Sequence, residues 1–265
     1  MWKSIQTTRA AEGLGIVTPD ILAQSYERCR DFEVSEHQER VRDTLGDGET
    51  KNFLQHNARL LTYGRLVVEE YMNDLKGASN LFLLTQTEGR ILALWSHPEI
   101  VAAASDFGLR PGTSLAESSA GTNAVALALA TQTPVALNGN QHLCRIFHDW
   151  SCAAAPIVSS DGDLVGCLDI SASDGPIHER LALARSIARE LGRLVGNKRR
   201  ITHGVTPRQR EVLALFAQGL SYKEIGKQLY ISIKTVEEHL DATRNKIGTK
   251  SRRACIKKAI ELGIL

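Results

Sequence analysis

The last sixty or so residues carry four helix start signals in close succession, and these constrain the fold more than any other feature. Each of four hydroxyl residues precedes a run with apolar residues at helical spacing: Thr206, Ser221, Ser232 and Ser251. Gln209 and Glu224 stand three residues after the first two, which is the capping-box pattern. The sequence therefore predicts four short helices over 205–265. A turn of a few residues separates the second and third helices, as in a helix-turn-helix. The third helix of the segment would then enter the DNA major groove.

The charge distribution separates this segment from the rest of the chain. Residues 198–265 contain 15 Lys and Arg against 6 Asp and Glu, whereas residues 1–197 contain 17 against 24. The overall net charge of +2 therefore divides into +9 and −7. A basic module attached to an acidic body is typical of a nucleic-acid-binding domain joined to a regulatory domain.

Composition excludes several other classes of protein. The length of 265 residues suits two modest domains, and 43% apolar with 23% charged residues is ordinary for a globular protein. The sequence contains no uninterrupted apolar run long enough to span a membrane, and the charged start does not resemble a signal peptide. We therefore expect a cytoplasmic protein with no membrane partner. Five scattered cysteines, an odd number, do not suggest a disulfide framework.

The helix-turn-helix segment also resembles a known family. The stretch TPRQREVLALFAQGLSYKEIGKQLYISIKTVEEHLDATRNKIGTKSRRACIKKAIELGIL is similar to the LuxR-type DNA-binding domain nearly end to end. Residues at the starts of the second and third helices are placed for phosphate contacts: Lys223, Ser232, Lys234 and Thr235. Arg244 would add charge near the DNA backbone.

The resemblance implies that residues 237, 238 and 241 read base edges in the groove. This sequence has Glu237, Glu238 and Asp241 there, where many relatives have Lys, Asn or Ser. A carboxylate can accept a hydrogen bond from cytosine N4, although three carboxylates near phosphates weaken binding. These three acidic residues change the operator sequence that we expect, and they leave the expected fold unchanged.

The body of the chain reads as α+β. We expect helices over 50–78, 124–130 and 176–195, a hairpin of strands at 80–84 and 90–95, and further strands at 133–137, 152–158 and 164–170. This order favours one antiparallel sheet with flanking helices. The predicted fold class is thus an α+β sensor followed by an all-α four-helix DNA-binding domain.

Three segments of the body resemble the GAF-like sensor half of acetoin-catabolism-type activators: DFGLRPGTSLAESSAGTNAVALAL, PVALNGNQHLCRIFHDWSCAAAPI and DGDLVGCLDIS. Upstream, ILAQSYERCRDF resembles the helix that precedes that sensor. Those activators continue into an ATPase, whereas this chain has no G-x-x-x-x-G-K-[ST] segment, so we expect no ATP hydrolysis. We divide the chain into an N-terminal helical segment (1–48), a GAF-like sensor with flanking helices (49–196), a linker (197–204) and the LuxR-type domain (205–265).

The sensor contains one group of candidate effector-binding residues: Asn123, His142, Cys144, His148, Trp150 and Cys152. Asn123 fits a helix cap as well as a ligand contact. His142, Cys144, His148 and Cys152 offer two imidazoles and two thiols, which could hold a metal ion, although the spacing matches no standard zinc module. No cofactor is certain from the sequence. A small-molecule effector is expected, and a metal ion is the alternative.

These observations together predict a one-component transcription regulator that is not an enzyme. It would bind double-stranded operator DNA as a homodimer under the control of a small molecule, and contact RNA polymerase if it activates transcription. Two alternatives remain open. One is a regulator that senses metal or redox state through the His and Cys cluster, and the other is a thiol-dependent GAF-type reductase.

Overall fold

A computed structural model describes residues 17–74, 79–196 and 204–265 of the chain. The predicted linker at 197–204 lies outside the described residues except for Gly204. The first helices are α1 (Pro19–Asp31), α2 (Asp47–His56) and α3 (Ala58–Asp74). The sensor continues with β1 (Leu81–Thr85), β2 (Ile91–Trp95), α4 (Pro98–Asp106), α5 (Glu117–Ala120), α6 (Ala124–Thr131), β3 (Val135–Asn138), β4 (Ser151–Val158), β5 (Leu164–Ala172) and α7 (Ile177–Gly196).

The N-terminal segment is helical only in part. Among its described residues, helix occupies Pro19–Asp31, and residues 32–46 form an irregular connection. The expectation of one continuous helix over 50–78 is wrong, because the helix is interrupted at Asn57, between α2 and α3. The Asn57 side-chain amide donates to the Phe53 carbonyl at 2.9 Å and so helps to end α2. Residues 75–78 lie outside the described part of the chain.

The strands form one five-stranded antiparallel sheet in the order β2-β1-β5-β4-β3. This confirms the predicted antiparallel sheet with flanking helices. Because side chains alternate along a strand, β1 and β5 each contribute to two cores. Phe82, Leu84 and Leu168 face α3 and α7 on one side of the sheet. Leu81 and Leu83 face the opposite side, where α1, α4 and α6 cover the sheet.

Helix α1 is joined to the sensor by a partly buried polar contact. Glu117, at the start of α5, accepts from Arg28 Nε at 2.6 Å and from Ser25 Oγ at 2.5 Å. Ser25 Oγ also lies 2.8 Å from the Thr122 hydroxyl. Helix α1 is therefore part of the same packed unit as the sheet.

The C-terminal domain has the four predicted helices: α8 (Pro207–Ala217), α9 (Tyr222–Leu229), α10 (Ile233–Ile247) and α11 (Arg252–Glu261). All four hydroxyl caps form, with Thr206, Ser221, Ser232 and Ser251 each accepting from the backbone N–H three residues later. Gln209 and Glu224 complete capping boxes on α8 and α9. The helices enclose a separate core that includes Val212, Leu213, Ile225, Val236 and Leu240.

The C-terminal domain rests on helix α3 of the sensor. Arg65 Nη1 donates to the carbonyl of Gln218 at 2.9 Å, and Tyr63 donates its hydroxyl to the carbonyl of Leu265 at 2.9 Å. Ile260 of α11 is buried in the sensor core between the sheet, α3 and α7. Through these contacts α8 and α11 pack against α3. A cleft of about 460 Å³ remains beside it, between α3 and α8.

None of the described helices combines the length and apolar character needed to cross a membrane.

Candidate functional site

The N-terminus of α10 is an exposed, positively polarised surface. Ser232 accepts from the Thr235 backbone N–H at 3.0 Å, and the two hydroxyls lie 2.8 Å apart. Lys234 is exposed beside them, and Lys223 is exposed in the first turn of α9. The N-terminal end of a helix attracts anions because its backbone N–H groups are unpaired and the helix dipole is positive there. The structure therefore presents the four predicted phosphate-contacting residues at the surface around two neighbouring helix starts.

The predicted base-reading residues lie on the outward side of α10. Val236 and Leu240 are buried in the domain core, while Glu237 and Glu238 are exposed. Asp241 is half-buried, and its Oδ1 lies 3.5 Å from Arg244 Nη2. Arg244 thus partly offsets one of the three carboxylates. Two negative side chains remain fully available on this face.

The sequence does not single out two exposed apolar residues that flank the turn between α9 and α10. Tyr230 is 94% exposed with a φ of 56°, and Ile233 is 50% exposed. Large apolar side chains that stand free on a charged surface often mark a contact site. The available signal was the short spacing between α9 and α10, which leaves little room to bury the residues of the turn.

A cavity of about 40 Å³ lies between the sheet and α6 in the sensor. Its lining is mostly apolar and includes Leu81, Leu83, Leu109, Leu115, Val125, Phe147 and Trp150. Four of the six predicted effector residues also line it, namely Asn123, His142, Trp150 and Cys152. The cavity thus brings together residues from α6, from the loop after β3 and from β4.

Asn123 uses its side chain to hold the backbone around it. Its amide nitrogen donates to the carbonyls of Leu115 and Gly121, each at 2.8 Å, and its oxygen accepts from the Ala126 N–H at 2.9 Å. Asn123 is therefore the N-cap of α6, and it shapes the cavity wall with every polar group of its side chain in use.

Cys144 and His148 lie outside the cavity lining. Cys144 is buried in the core, where its sulfur accepts from Gln38 Nε2 at 3.2 Å. His148 Nε2 donates to the His142 carbonyl at 3.1 Å and so stabilises the loop. Both residues hold the loop after β3 in place, and neither side chain is presented to the cavity.

His142 is 2% exposed, and its ring orientation is fixed by one hydrogen bond. Nδ1 lies 2.9 Å from the carbonyl of Gly139, which can only accept, so Nδ1 carries the hydrogen. Nε2 is buried without a partner in the described structure. Burial lowers the pKa of His142 to about 4, so the ring is neutral at pH 7 and Nε2 offers a lone pair.

Asp169 is the cavity residue of greatest chemical interest that the sequence analysis missed. It lies in β5, is 3% exposed, and accepts from Ser171 Oγ at one oxygen, while Oδ1 has no partner among the described residues. Burial raises the pKa of Asp169 to about 6. A single Asp flanked by Leu168 and Ile170 in a predicted strand was the available signal, since an acidic residue is rarely buried without a reason.

The predicted His and Cys cluster does not form a metal site in the part of the chain that the structure describes. No three His, Cys, Asp or Glu side chains there are grouped to hold an ion. Burial raises the pKa of the Cys144 thiol to about 12, and it also raises the pKa of the Cys152 and Cys167 thiols. Protonated thiols are poor nucleophiles, so this environment does not favour a thiol-dependent reductase.

These features define an α+β sensor-type domain followed by a four-helix domain that contains a helix-turn-helix. Residues 203–259 match the model of "Bacterial regulatory proteins, luxR family", and residues 6–188 match the model "MimR, N-terminal domain". The second match covers more than half of the chain. The protein therefore belongs to the family of the MimR N-terminal domain.

Individual relatives agree with this assignment. The acetoin dehydrogenase operon transcriptional activator AcoR of Bacillus subtilis is 32% identical over 168 residues, which are 63% of this chain and 28% of that protein. The propane 2-monooxygenase operon transcriptional activator MimR of Mycolicibacterium goodii is 30% identical over 163 residues, 58% of this chain and 27% of that protein. The chain thus spans under a third of the length of these curated relatives. Both relatives are named as regulators.

A solved structure shows the same fold for the sensor. In the crystal structure of the Escherichia coli DhaR(N)-DhaL complex, one chain superimposes with a TM-score of 0.61 at 23% identity, covering 65% of this chain and 58% of that chain. At this identity the similarity concerns the fold alone.

Proposed function

We propose that this protein controls transcription by binding operator DNA as a homodimer, with its affinity set by a small molecule held in the sensor cavity. The observation that carries the proposal is the exposed N-terminus of α10 in a basic domain that is packed directly on the sensor. The domain presents Lys223, Lys234 and Thr235 outward, while α8 and α11 face α3. The proposed functional units are the sensor at 49–196, supported by α1, and the DNA-binding domain at 205–265.

Salt dependence tests the DNA-binding half of the proposal. Each phosphate that the protein neutralises lowers the slope of log affinity against log salt by about 0.9. We expect Lys234→Ala to weaken binding to every duplex and to reduce the magnitude of that slope by about one. Fluorescence anisotropy with labelled duplexes measures both quantities. Lys51→Ala, an exposed lysine on α2, is the matched control. An affinity that does not change with salt would contradict the proposal.

Base preference tests the unusual carboxylates on α10. Glu238 is exposed on the outward face, so Glu238→Ala should change which sequences are selected from a random duplex library. Removal of a negative charge should at the same time strengthen non-specific binding. An unchanged selected sequence would show that Glu238 does not read bases.

A homodimer is proposed because one such domain contacts only one short half-site. Two linked domains on a palindromic operator gain affinity through effective concentration, without new contacts. We expect sedimentation at micromolar concentration to give a dimer on DNA. A complex with one chain per operator would contradict this. If the regulator is an activator, RNA polymerase is a further proposed partner.

The contact on α3 gives the sensor a route to the DNA-binding domain. Helix α3 packs on one face of β1, and the cavity lies on the other face of the same strand. A ligand that moves β1 would therefore also move the surface that holds α8 and α11. Such a ligand acts only if it binds the two arrangements with different affinity. Helix α7 follows the last strand of the sensor and leads to the linker at 197–204, so it offers a second route.

A further inference from the structure

One segment of the chain, residues 17–46, is bonded to both of the non-strand segments that form walls of the sensor cavity. The first wall segment, 115–125, runs through α5 into α6 and contributes Asn123. The second, 139–150, connects β3 to β4 and contributes His142. We call residues 17–46 the clamp and residues 139–150 the cavity loop.

The clamp binds the first wall segment through Glu117, at the start of α5. Glu117 accepts from Arg28 Nε at 2.6 Å, from Arg28 Nη2 at 2.7 Å and from Ser25 Oγ at 2.5 Å. The Thr122 hydroxyl lies 2.8 Å from Ser25 Oγ and 3.5 Å from Cys29 Sγ. Ser25, Cys29 and Thr122 are each 0% exposed. One face of α1 is therefore packed directly on the wall of the cavity.

The clamp also binds the cavity loop, from the outside. Tyr26 of α1 donates its hydroxyl to the carbonyl of Gln141 at 2.8 Å. Further along, the backbone N–H of Arg145 donates to the carbonyl of Glu36 at 2.9 Å. The loop is thus attached at two separate points to one segment that lies outside the cavity.

Gln38 of the clamp contacts both wall segments with one amide group. Its Nε2 donates to the carbonyl of Ser119 and to the sulfur of Cys144, each at 3.2 Å. Cys144 is 0% exposed beneath this contact. The clamp therefore holds the two wall segments at a fixed separation.

The cavity is too small in this arrangement for a typical effector. It encloses about 40 Å³, whereas small-molecule sites enclose about 300–1,000 Å³. A ligand of ordinary size requires a wall to move. The sheet and α6 are regular elements held by backbone hydrogen bonds, but the cavity loop contains only two short 3₁₀ turns, Gly139–Gln141 and Arg145–Phe147. Segments with few such bonds open at the lowest free energy, so the cavity loop is the wall that moves.

We propose that residues 17–46 keep the sensor cavity closed, and that a ligand reaches the cavity when this clamp separates as one unit from α5 and from the cavity loop. Loss of the Glu117 contacts releases α1, and Tyr26 and Gln38 leave with it because they belong to the same segment. The inference rests on the proposed sensing of a small molecule, since it assigns how that molecule enters the sensor.

The natural cysteines allow the opening to be measured in the full chain without any ligand. Three reporter thiols lie where the opening should expose them: Cys29 and Cys144 under the clamp contacts, and Cys152 on the cavity lining. Cys167 lies in the central strand β5, and Cys255 lies in the core of the DNA-binding domain. A buried thiol reacts with N-ethylmaleimide only while it is exposed by an opening, so its rate of modification reports the open population.

We expect the three reporter thiols to react at least about tenfold faster than Cys167 at neutral pH, because clamp opening is local whereas Cys167 requires the sheet to unfold. Mass spectrometry of peptides measures each rate. Local opening also exposes less surface than unfolding, so the reporter rates should rise less steeply with urea than the Cys167 rate. This comparison uses the original chain and does not depend on any variant.

Glu117→Gln tests whether the clamp opens as one unit. The substitution removes the negative charge that pairs with Arg28 and keeps the shape of the side chain, so all three reporter thiols should react about tenfold faster. Cys255 should keep its rate. Glu99→Gln, at an exposed glutamate of α4, is the matched control and should leave every rate unchanged.

Three results would overturn the inference. They are reporter thiols that react no faster than Cys167, an equal urea dependence of the two, and a Glu117→Gln chain in which Cys29 alone reacts faster while Cys144 and Cys152 do not. The proposed function fails separately, if the chain shows no salt-dependent binding to duplex DNA.

Discussion

Asp169 places an ionisable group in the middle of a strand whose neighbours, Leu168 and Ile170, are fully buried on the other face. Its pKa rises from 3.8 to about 6 because burial disfavours the charged form. A carboxyl group whose pKa is raised by folding stabilises the native state fully below its unfolded pKa. That contribution is lost as the pH rises through about 6. Asp169 therefore lowers the stability of the native state at neutral pH.

Asp169→Asn removes the ionisable group and keeps the shape of the side chain. The shift corresponds to about 3 kcal/mol at most, so the variant should unfold at a higher denaturant concentration than the original chain at pH 7. The difference should shrink as the pH falls towards 4. Urea unfolding followed by circular dichroism at several pH values measures it. Asp163→Asn, in the exposed turn between β4 and β5, should show no such trend, and an Asp169→Asn chain that is less stable at pH 7 would contradict the prediction.

His142 contributes the opposite pH dependence. Its pKa is lowered to about 4 by burial, so its contribution to stability is present above the unfolded value of 6.5 and is lost as the pH falls through about 4. Loss of stability on the acid side should therefore persist in Asp169→Asn. The sequence predicted His142 as a cavity residue, but its unpartnered nitrogen depends on the Gly139 contact, which only the folded loop reveals.

The turn between α9 and α10 depends on a glycine, Gly226. A Cβ on Gly226 would lie 2.7 Å from the carbonyl oxygen of Ile231, and the Ile231 N–H in turn donates to the Gly226 carbonyl at 3.0 Å. The backbone of the turn passes too close to α9 for a larger side chain. The glycine thus fixes the angle at which α10 is presented.

We expect Gly226→Ala to destabilise the DNA-binding domain by about 1–3 kcal/mol, as overpacking does elsewhere, and to weaken DNA binding. Gly48→Ala is the control, because a Cβ at Gly48 in α2 meets nothing within 4 Å and alanine favours helix. Thermal unfolding and anisotropy measure the two effects. Equal stability of both variants would show that the turn can move aside.

The C-terminal helices were predictable because their signals are local. Thr206, Ser221 and Ser232 each act on the backbone three residues away, so the sequence alone locates the helix starts. The break at Asn57 was not predictable, since the apolar spacing continues on both sides of it. Helix α4 was missed although Pro98 occupies its first position, because a proline also fits a turn and the helix spans only nine residues.

The cavity was only partly predictable for a different reason. Trp150 and Cys152 were expected on its wall, and they lie there. Asp169 comes from a strand two neighbours away from β3, so its approach to His142 depends on the sheet order rather than on sequence spacing. The docking of α11 on α3 is likewise a contact between residues nearly two hundred positions apart, and no local signal encodes it.

The two domains meet through a small group of charged residues around a buried isoleucine, Ile260. Arg65 donates to Glu69 at 2.8 Å and to the Gln218 carbonyl at 2.9 Å, and its guanidinium covers Gly219. Lys257 of α11 lies 3.1 Å from Glu70. Exposed ion pairs contribute little each and are screened by salt. The burial of Ile260 and the hydrogen bonds that Arg65 and Tyr63 donate to backbone carbonyls therefore matter more for the attachment.

Arg65 is central to the attachment of the DNA-binding domain to α3. Arg65→Ala removes the hydrogen bond to Gln218 and the cover over Gly219, so the DNA-binding domain should separate from α3 more often while both domains remain folded. Hydrogen exchange read by mass spectrometry should show faster exchange in α8 and in the N-terminal half of α3, with protection in β4 and β5 unchanged. Arg189→Ala, an exposed arginine on α7, is the control.

If the contact on α3 controls how well the DNA-binding domain binds DNA, operator affinity should change several-fold in Arg65→Ala and not in the control. Unchanged exchange in α8 together with unchanged DNA affinity would show that the contact on α3 does not couple the two domains.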